Sequence, residues 1–121
     1  MDKIKLIIAG SRTFTCYPYA RTVIDNWIAK HSNDVDIEIV SGGARGADRL
    51  GERYAREHDL SYRIFPAQWD KYGKSAGYKR NEQMAEYADC LIAFHQNGSR
   101  GTQHMINIAN NADMNVTVIN L

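Results

Sequence analysis

Three short segments of this chain each set glycine beside a small hydroxyl side chain and an arginine. They are Gly10-Ser11-Arg12, Ser41-Gly42-Gly43-Ala44-Arg45-Gly46 and Gly98-Ser99-Arg100-Gly101-Thr102. Each directly follows an apolar, strand-like run, and the second and third directly precede helix-like patterns. A helix start offers unpaired backbone N–H groups and a partial positive charge. Glycine lets a ligand come close to the backbone, and arginine presents a fork of donors matched to phosphate oxygens. Three such loops in one small chain point to an anionic ligand, with a nucleotide the best match.

The segment Ser41, Gly42, Gly43, Arg45, Gly46 is the strongest phosphate candidate, because Ala47 opens the helix whose N-terminus can face an anion. It lacks the G-K-[ST] ending of a Walker A loop and is not the G-x-G-x-x-G fingerprint. Its glycines also suit a tight strand-to-helix turn that needs them for shape alone. Gly10, Ser11 and Arg12 follow a buried strand, so Arg12 can reach across a crevice or pair with a surface carboxylate. Gly98, Ser99, Arg100, Gly101 and Thr102 offer hydroxyls and N–H groups to phosphate oxygens. Ser99 or Thr102 could equally be a plain helix cap.

Further along, Gly77, Asn81, Met84 and Ala88 recur at helical spacing and share a face, with Arg80 at its border. Buried, Arg80 and Asn81 need partners, so they either line the pocket or brace the preceding loop. Trp69 and Tyr72 can stack a base or fill core space, and core filling is the expected role. Lys74 is either solvated or a phosphate contact at the rim. His95 and His104 flank the third loop and are expected to be polar surface residues, as His31 and His58 are at helix ends. No cysteine or histidine spacing forms a metal site, so neither a metal nor a cofactor is expected.

The chain has 121 residues, 44% hydrophobic and 24% charged, with a formal net charge of +1. That composition supports one packed soluble domain spanning residues 1–121. The small net charge argues against a dedicated duplex-DNA binder. No apolar run approaches the roughly twenty residues that span a bilayer, and strand-like sequence begins at once rather than a secretory leader. A cytoplasmic protein with no membrane partner is the expectation. Apolar faces on the outer helices could serve a homo-oligomer. Cys16 falls in a loop, and Cys90 reads as a small buried residue.

The elements that must position these loops alternate strictly. Strands are expected at Ile4–Ala9, Asp36–Val40, Tyr62–Phe65, Cys90–Phe94 and Val116–Ile119. Helices are expected over Tyr17–His31, Ala47–His58, Ser75–Ala88 and Gly101–Ala112, while Pro66–Lys74 has no simple periodicity. In the second helix Leu50, Tyr54 and Ala55 make an apolar face, and Asp48, Glu52, Arg53, Arg56 and Glu57 fall mostly on the other. This alternation predicts an α/β, Rossmann-like, doubly wound and mostly parallel five-stranded sheet with helices on both faces. The expected order is 3-2-1-4-5, with 2-1-3-4-5 the alternative. Ligands in such sheets bind beyond the carboxyl ends of the strands where the winding reverses. That places the loops after strands one and four at a single crevice, with the loop after strand two beside them.

The ordered set Gly10-Ser11-Arg12-Thr13-Phe14, Ser41-Gly42-Gly43-Ala44-Arg45-Gly46-Ala47-Asp48, Phe65-Pro66-Ala67-Gln68-Trp69, Tyr72-Gly73-Lys74-Ser75-Ala76-Gly77, Arg80-Asn81-Glu82-Gln83-Met84 and Gly98-Ser99-Arg100-Gly101-Thr102-Gln103-His104-Met105-Ile106 resembles the SLOG superfamily. Within it, the match is to the small single-domain group related to YspA and YpsA. The resemblance implies a Rossmann-like domain that binds nucleotides or nucleotide-derived ligands such as nucleoside monophosphates, ADP-ribose and other NAD-derived molecules, to sense or sequester them. The superfamily also includes LOG-type phosphoribohydrolases, whose signature is similar to G-G-x-G-T-x-x-E. Gly98, Gly101 and Thr102 fall on that motif, but Ser99 replaces a glycine and Met105 stands where the glutamate belongs. Methionine cannot accept a proton. Binding without catalysis is therefore expected, with an N-glycosidase as the alternative. A third reading is a single-strand nucleic-acid binder, for which the sequence shows no basic groove with stacking aromatics.

Overall fold

In a computed structural model, which describes residues 3–31 and 35–121, the apolar run of the first strand becomes the centre of a sheet covered on both faces. Strands β1 (Lys3–Gly10), β2 (Asp36–Ser41), β3 (Ser61–Ile64), β4 (Cys90–His95) and β5 (Asn115–Asn120) pair in the order β3-β2-β1-β4-β5. Every neighbouring pair is parallel. The helices are α1 (Tyr17–His31), α2 (Ala47–Glu57), α3 (Trp69–Tyr72), α4 (Ala76–Tyr87) and α5 (Arg100–Asn111), with a 3-10 turn at Gly73–Ser75. The expected order and all five strands are present. The aperiodic stretch holds α3 and the 3-10 turn, each too short to leave a helical period in the sequence.

Side chains alternate across a strand, and β1 shows why the helices split between two layers. Leu6 and Ile8 join a core with Ile24 and Trp27 of α1 and Ala47, Tyr54 and Ala55 of α2. Ile7 and Ala9 point the other way, into a core with Met84 of α4 and Met105, Ile106 and Ala109 of α5. Burying a side chain such as Leu6 or Ile7 removes it wholly from water, a gain of about 1.5–3 kcal/mol each. The ends of α2 and α5 use one device. Asp59 and Asp113 take left-handed φ values of 55° and 57°. The next N–H then turns back, Leu60 to the Ala55 carbonyl at 2.9 Å and Met114 to the Ala109 carbonyl at 3.0 Å. Aspartate fills the place glycine often takes.

The reversal of winding lies between β1 and β4, and the loops beyond them are tied together. Ser11 N–H donates to the Phe94 carbonyl at 3.0 Å, and the Ser11 and Thr13 hydroxyls both donate to Gln96 Oε1 at 2.8 Å. The start of α2 is clasped to the same place, with Ala47 N–H donating to the Ser11 carbonyl at 3.2 Å. Gly46 makes that approach feasible. It sits at φ 81°, ψ −133°, and a Cβ there would lie 2.4 Å from the Ser11 carbonyl oxygen. Replacing Gly46 by alanine is therefore expected to cost about 2 kcal/mol or more, combining backbone strain with the clash. Urea denaturation checks this, and an unchanged midpoint would refute the clasp.

Candidate functional site

Beyond the carboxyl ends of β1 and β4 lies a hollow of about 400 Å³, walled by the β1 loop, α4 and the start of α5. Its lining includes Gly10, Ser11, Arg12, Arg80, Asn81, Ser99, Arg100, Gly101 and Thr102. Four cations, Arg12, Lys74, Arg80 and Arg100, face one carboxylate, Asp48. The floor is apolar, with Met84 and Met105 each 1% exposed. Met105 thus belongs to the core as well as to the floor of the hollow.

The N-terminus of α5 opens on this hollow. Ser99 occupies the N-cap in extended conformation, yet no side chain caps the helix. Instead the Ser99 hydroxyl donates to Thr102 Oγ1 at 2.7 Å. The alternative of a plain cap by Ser99 or Thr102 is not formed. The start of α5 is braced by α4, because Asn81 Nδ2 donates to the Gly101 carbonyl at 3.2 Å and lies 3.2 Å from His104 Nδ1. An accepting Nδ1 leaves the ring proton on Nε2. The His104 ring also tilts against Tyr78, centroids 4.4 Å apart.

Ala44 of the second glycine loop lines this hollow too, and the loop's other lining residues face an adjoining hollow of about 810 Å³. Gly42, Gly43 and Arg45 line that hollow and are absent from the first; Arg12 and Arg80 line both. Arg12 therefore shares one hollow with Thr102 and the other with Arg45. Three residues of the glycine loops line neither hollow. Ser41 is fully buried, its hydroxyl donating to Glu52 Oε2 at 2.6 Å. Gly46 is the clasp, and Gly98, at φ 84°, shapes the turn before α5.

Two acids expected on the outer face of α2 are buried, Asp48 at 5% and Glu52 at 9% exposure. Helical periodicity alone puts charges outside, but here β2 and its loop supply partners. Ala44 N–H donates to Asp48 Oδ2 at 3.3 Å. Burial pushes the Asp48 carboxyl up to about 6, against the opposing pull of Arg80 and of hydrogen bonds from the Ala44 and Gly10 backbones. Burial likewise lowers Arg80 from its ordinary value, Asp48 pulls it back and Arg12 lowers it further. Arg80 is 9% exposed; Nε donates to Asn81 Oδ1 at 3.2 Å and Nη1 donates to the Gly42 carbonyl. Gly42 has no room for a side chain, since a Cβ would lie 2.5 Å from Arg80 Nη1 and 2.7 Å from Asp48 Oδ2. Arg80 and Asn81 thus both line the hollow and brace the loops.

Trp69 is a second correction. It is 51% exposed rather than core, and it lines both hollows. Sequence reading missed Gln96, which joins the two switch-point loops, and Tyr78, which walls the first hollow. Among the described residues no group of three or more His, Cys, Asp or Glu gathers as a metal site, and no helix is long and apolar enough to cross a membrane.

Fold and switch-point loops together define a Rossmann-like α/β domain of the SLOG type. The chain belongs to the YspA, cpYpsA-related SLOG family, whose family model matches residues 4–72. It is 32% identical over 120 residues to the Gene 61 protein of Mycobacterium phage D29, with 93% of each covered. Its fold is similar to that of DNA processing protein A (DprA) from Streptococcus pneumoniae, with a TM-score of 0.71 and 16% identity over 97% of this chain; the chain spans 50% of that protein. It is also similar to the structural-genomics protein TM1055, with a TM-score of 0.64 and 16% identity, covering 96% of this chain and 72% of that one.

The raised Asp48 carboxyl carries a pH consequence. With a folded value of about 6 against an ordinary 3.8, the native state holds this proton more tightly than the unfolded chain. Stability from this group is fully present below pH 3.8 and lost as pH rises through about 6, a cost of roughly 3 kcal/mol at neutrality. Asp48→Asn is expected to remove that slope. Urea titrations at a series of pH values test it, and an unchanged slope between pH 4 and 7 would assign the dependence elsewhere.

Proposed function

We propose that this protein binds a nucleotide or nucleotide-derived small molecule in the hollow beyond β1 and β4, as a sensing or sequestering module. The observation that carries the reading is the uncapped N-terminus of α5, opening on a hollow lined by four cations and one carboxylate. A phosphate seated there meets backbone N–H groups at the positive end of the helix dipole. The Thr102 hydroxyl, which accepts from Ser99, has its own proton to donate, and Arg12 and Arg100 add charge. The base and sugar then lie over Met84 and Met105, with Trp69 and Tyr78 at the walls. A volume of about 400 Å³ suits a ligand of nucleotide size. Nucleoside monophosphates, ADP-ribose and related NAD-derived molecules are the candidates.

One observation favours cleavage as a second reading. Asp48 is the lone carboxylate in the hollow, and a carboxyl near 6 can exchange a proton close to neutral pH. It could serve an N-glycosidic hydrolysis in which water adds to the sugar carbon and the base leaves with a proton.

Calorimetric titration with AMP and other nucleoside monophosphates tests binding. Arg12→Ala is expected to weaken affinity about tenfold, the worth of one charged hydrogen bond, with an unchanged thermal melt because Arg12 is exposed. Equal affinity in the variant would remove Arg12 from the site. Chromatography of the titrated nucleotide separates the two readings. Intact nucleotide supports the binding module, whereas released base supports the hydrolase.

A further inference from the structure

The second hollow holds more positive charge than a single phosphate in the first can use. Five arginines line it, Arg12, Arg45, Arg49, Arg56 and Arg80, against one acid, Glu52. That acid is buried and already accepts the Ser41 hydroxyl. Among the described residues Arg12, Arg45, Arg49 and Arg56 make no ion pair, in contrast to Arg53, which pairs with Glu57 at 2.8 Å. Arg49 and Arg56 lie two helical turns apart on one face, about 10 Å along the axis. Unpaired guanidinium groups concentrated around one concave surface repel one another and are relieved by an anion.

The two hollows are joined rather than separate. Arg12, Ala44, Trp69 and Arg80 belong to both linings. Arg80 is nine-tenths buried, and its Nε and Nη1 are committed to Asn81 and Gly42. Arg80 also feels the charge of Arg12, which lowers its pKa further from the ordinary value. A phosphate chain passing from the start of α5 over this wall would meet Arg80 and Arg12 first and the α2 arginines next.

We propose that the second hollow is a second anion subsite and that the ligand is a nucleotide whose phosphate chain continues past Arg12 and Arg80. The chemical class is a nucleoside diphosphate or a pyrophosphate-bridged derivative, not a monophosphate. The inference deepens the nucleotide-binding reading and rests on it for the first half of the ligand.

Titration of AMP, ADP, ADP-ribose and inorganic tripolyphosphate against the wild-type chain and the double variant Arg49→Ala, Arg56→Ala tests it. Both residues are exposed on α2, so the fold is retained, which a thermal melt verifies. The expected result is unchanged AMP affinity, with about tenfold weaker binding of ADP-ribose and tripolyphosphate in the variant. Tripolyphosphate binding that falls in the variant, with no nucleotide bound by either protein, would uphold the second anion subsite and reject the nucleotide reading. Equal losses for AMP and ADP-ribose, or no loss for ADP-ribose and tripolyphosphate, would overturn the subsite. A short single-stranded oligonucleotide that binds more tightly than every free nucleotide, and loses affinity in the same variant, would overturn it in favour of a nucleic-acid strand.

Discussion

The contact on which the site depends is the reach of Arg80 from α4 to the Gly42 carbonyl, made in the space a side chain on residue 42 would occupy. That guanidinium closes the gap between the layer carrying α4 and the loop after β2. It also stands as the partition between the two hollows. Its charge is balanced by the field of Asp48, which is not close enough to form a direct ion pair, and is opposed by Arg12. A buried cation without a contact partner is costly. The protein tolerates it where two walls need joining and an anion would complete the charge balance.

Around this partition the remaining features have consistent roles. Asn81, the neighbour of Arg80, holds the start of α5 through the Gly101 carbonyl, so one turn of α4 positions both the cation and the helix N-terminus. Gln96 gathers Ser11 and Thr13, and the Gly46 clasp brings α2 onto the same loop. The loops that line the first hollow are thus held by contacts from different elements. That is the arrangement expected where binding must not spend energy ordering loops.

Much of this was legible in the sequence. Strands buried on both faces leave continuous apolar runs such as Leu6–Ala9, and glycine with arginine after such runs marks the turns at the carboxyl end of the sheet. The parts that were not legible share a cause. Asp48 and Glu52 look like solvent-facing charges by helical spacing, and only backbone N–H groups and Ser41 from elsewhere make them interior. Trp69 sits in a helix of four residues, which leaves no period from which to infer a buried or open face. The basic stripe of Arg45, Arg49 and Arg56, spaced by four and seven, was not read from the sequence. What no spacing conveys is that β3 and the residues after it rise beside that stripe to make it concave.

The switch-point hollow also has a history in time. Its two anchoring strands, β1 and β4, pair Leu6 with Cys90, partners 84 positions apart along the chain. Closing so long a stretch is among the slowest events in assembling a parallel sheet. The pocket therefore exists only where the two halves of the molecule have joined. Anything held there would reinforce the entire molecule, as mass action requires for whatever recognises only the finished form.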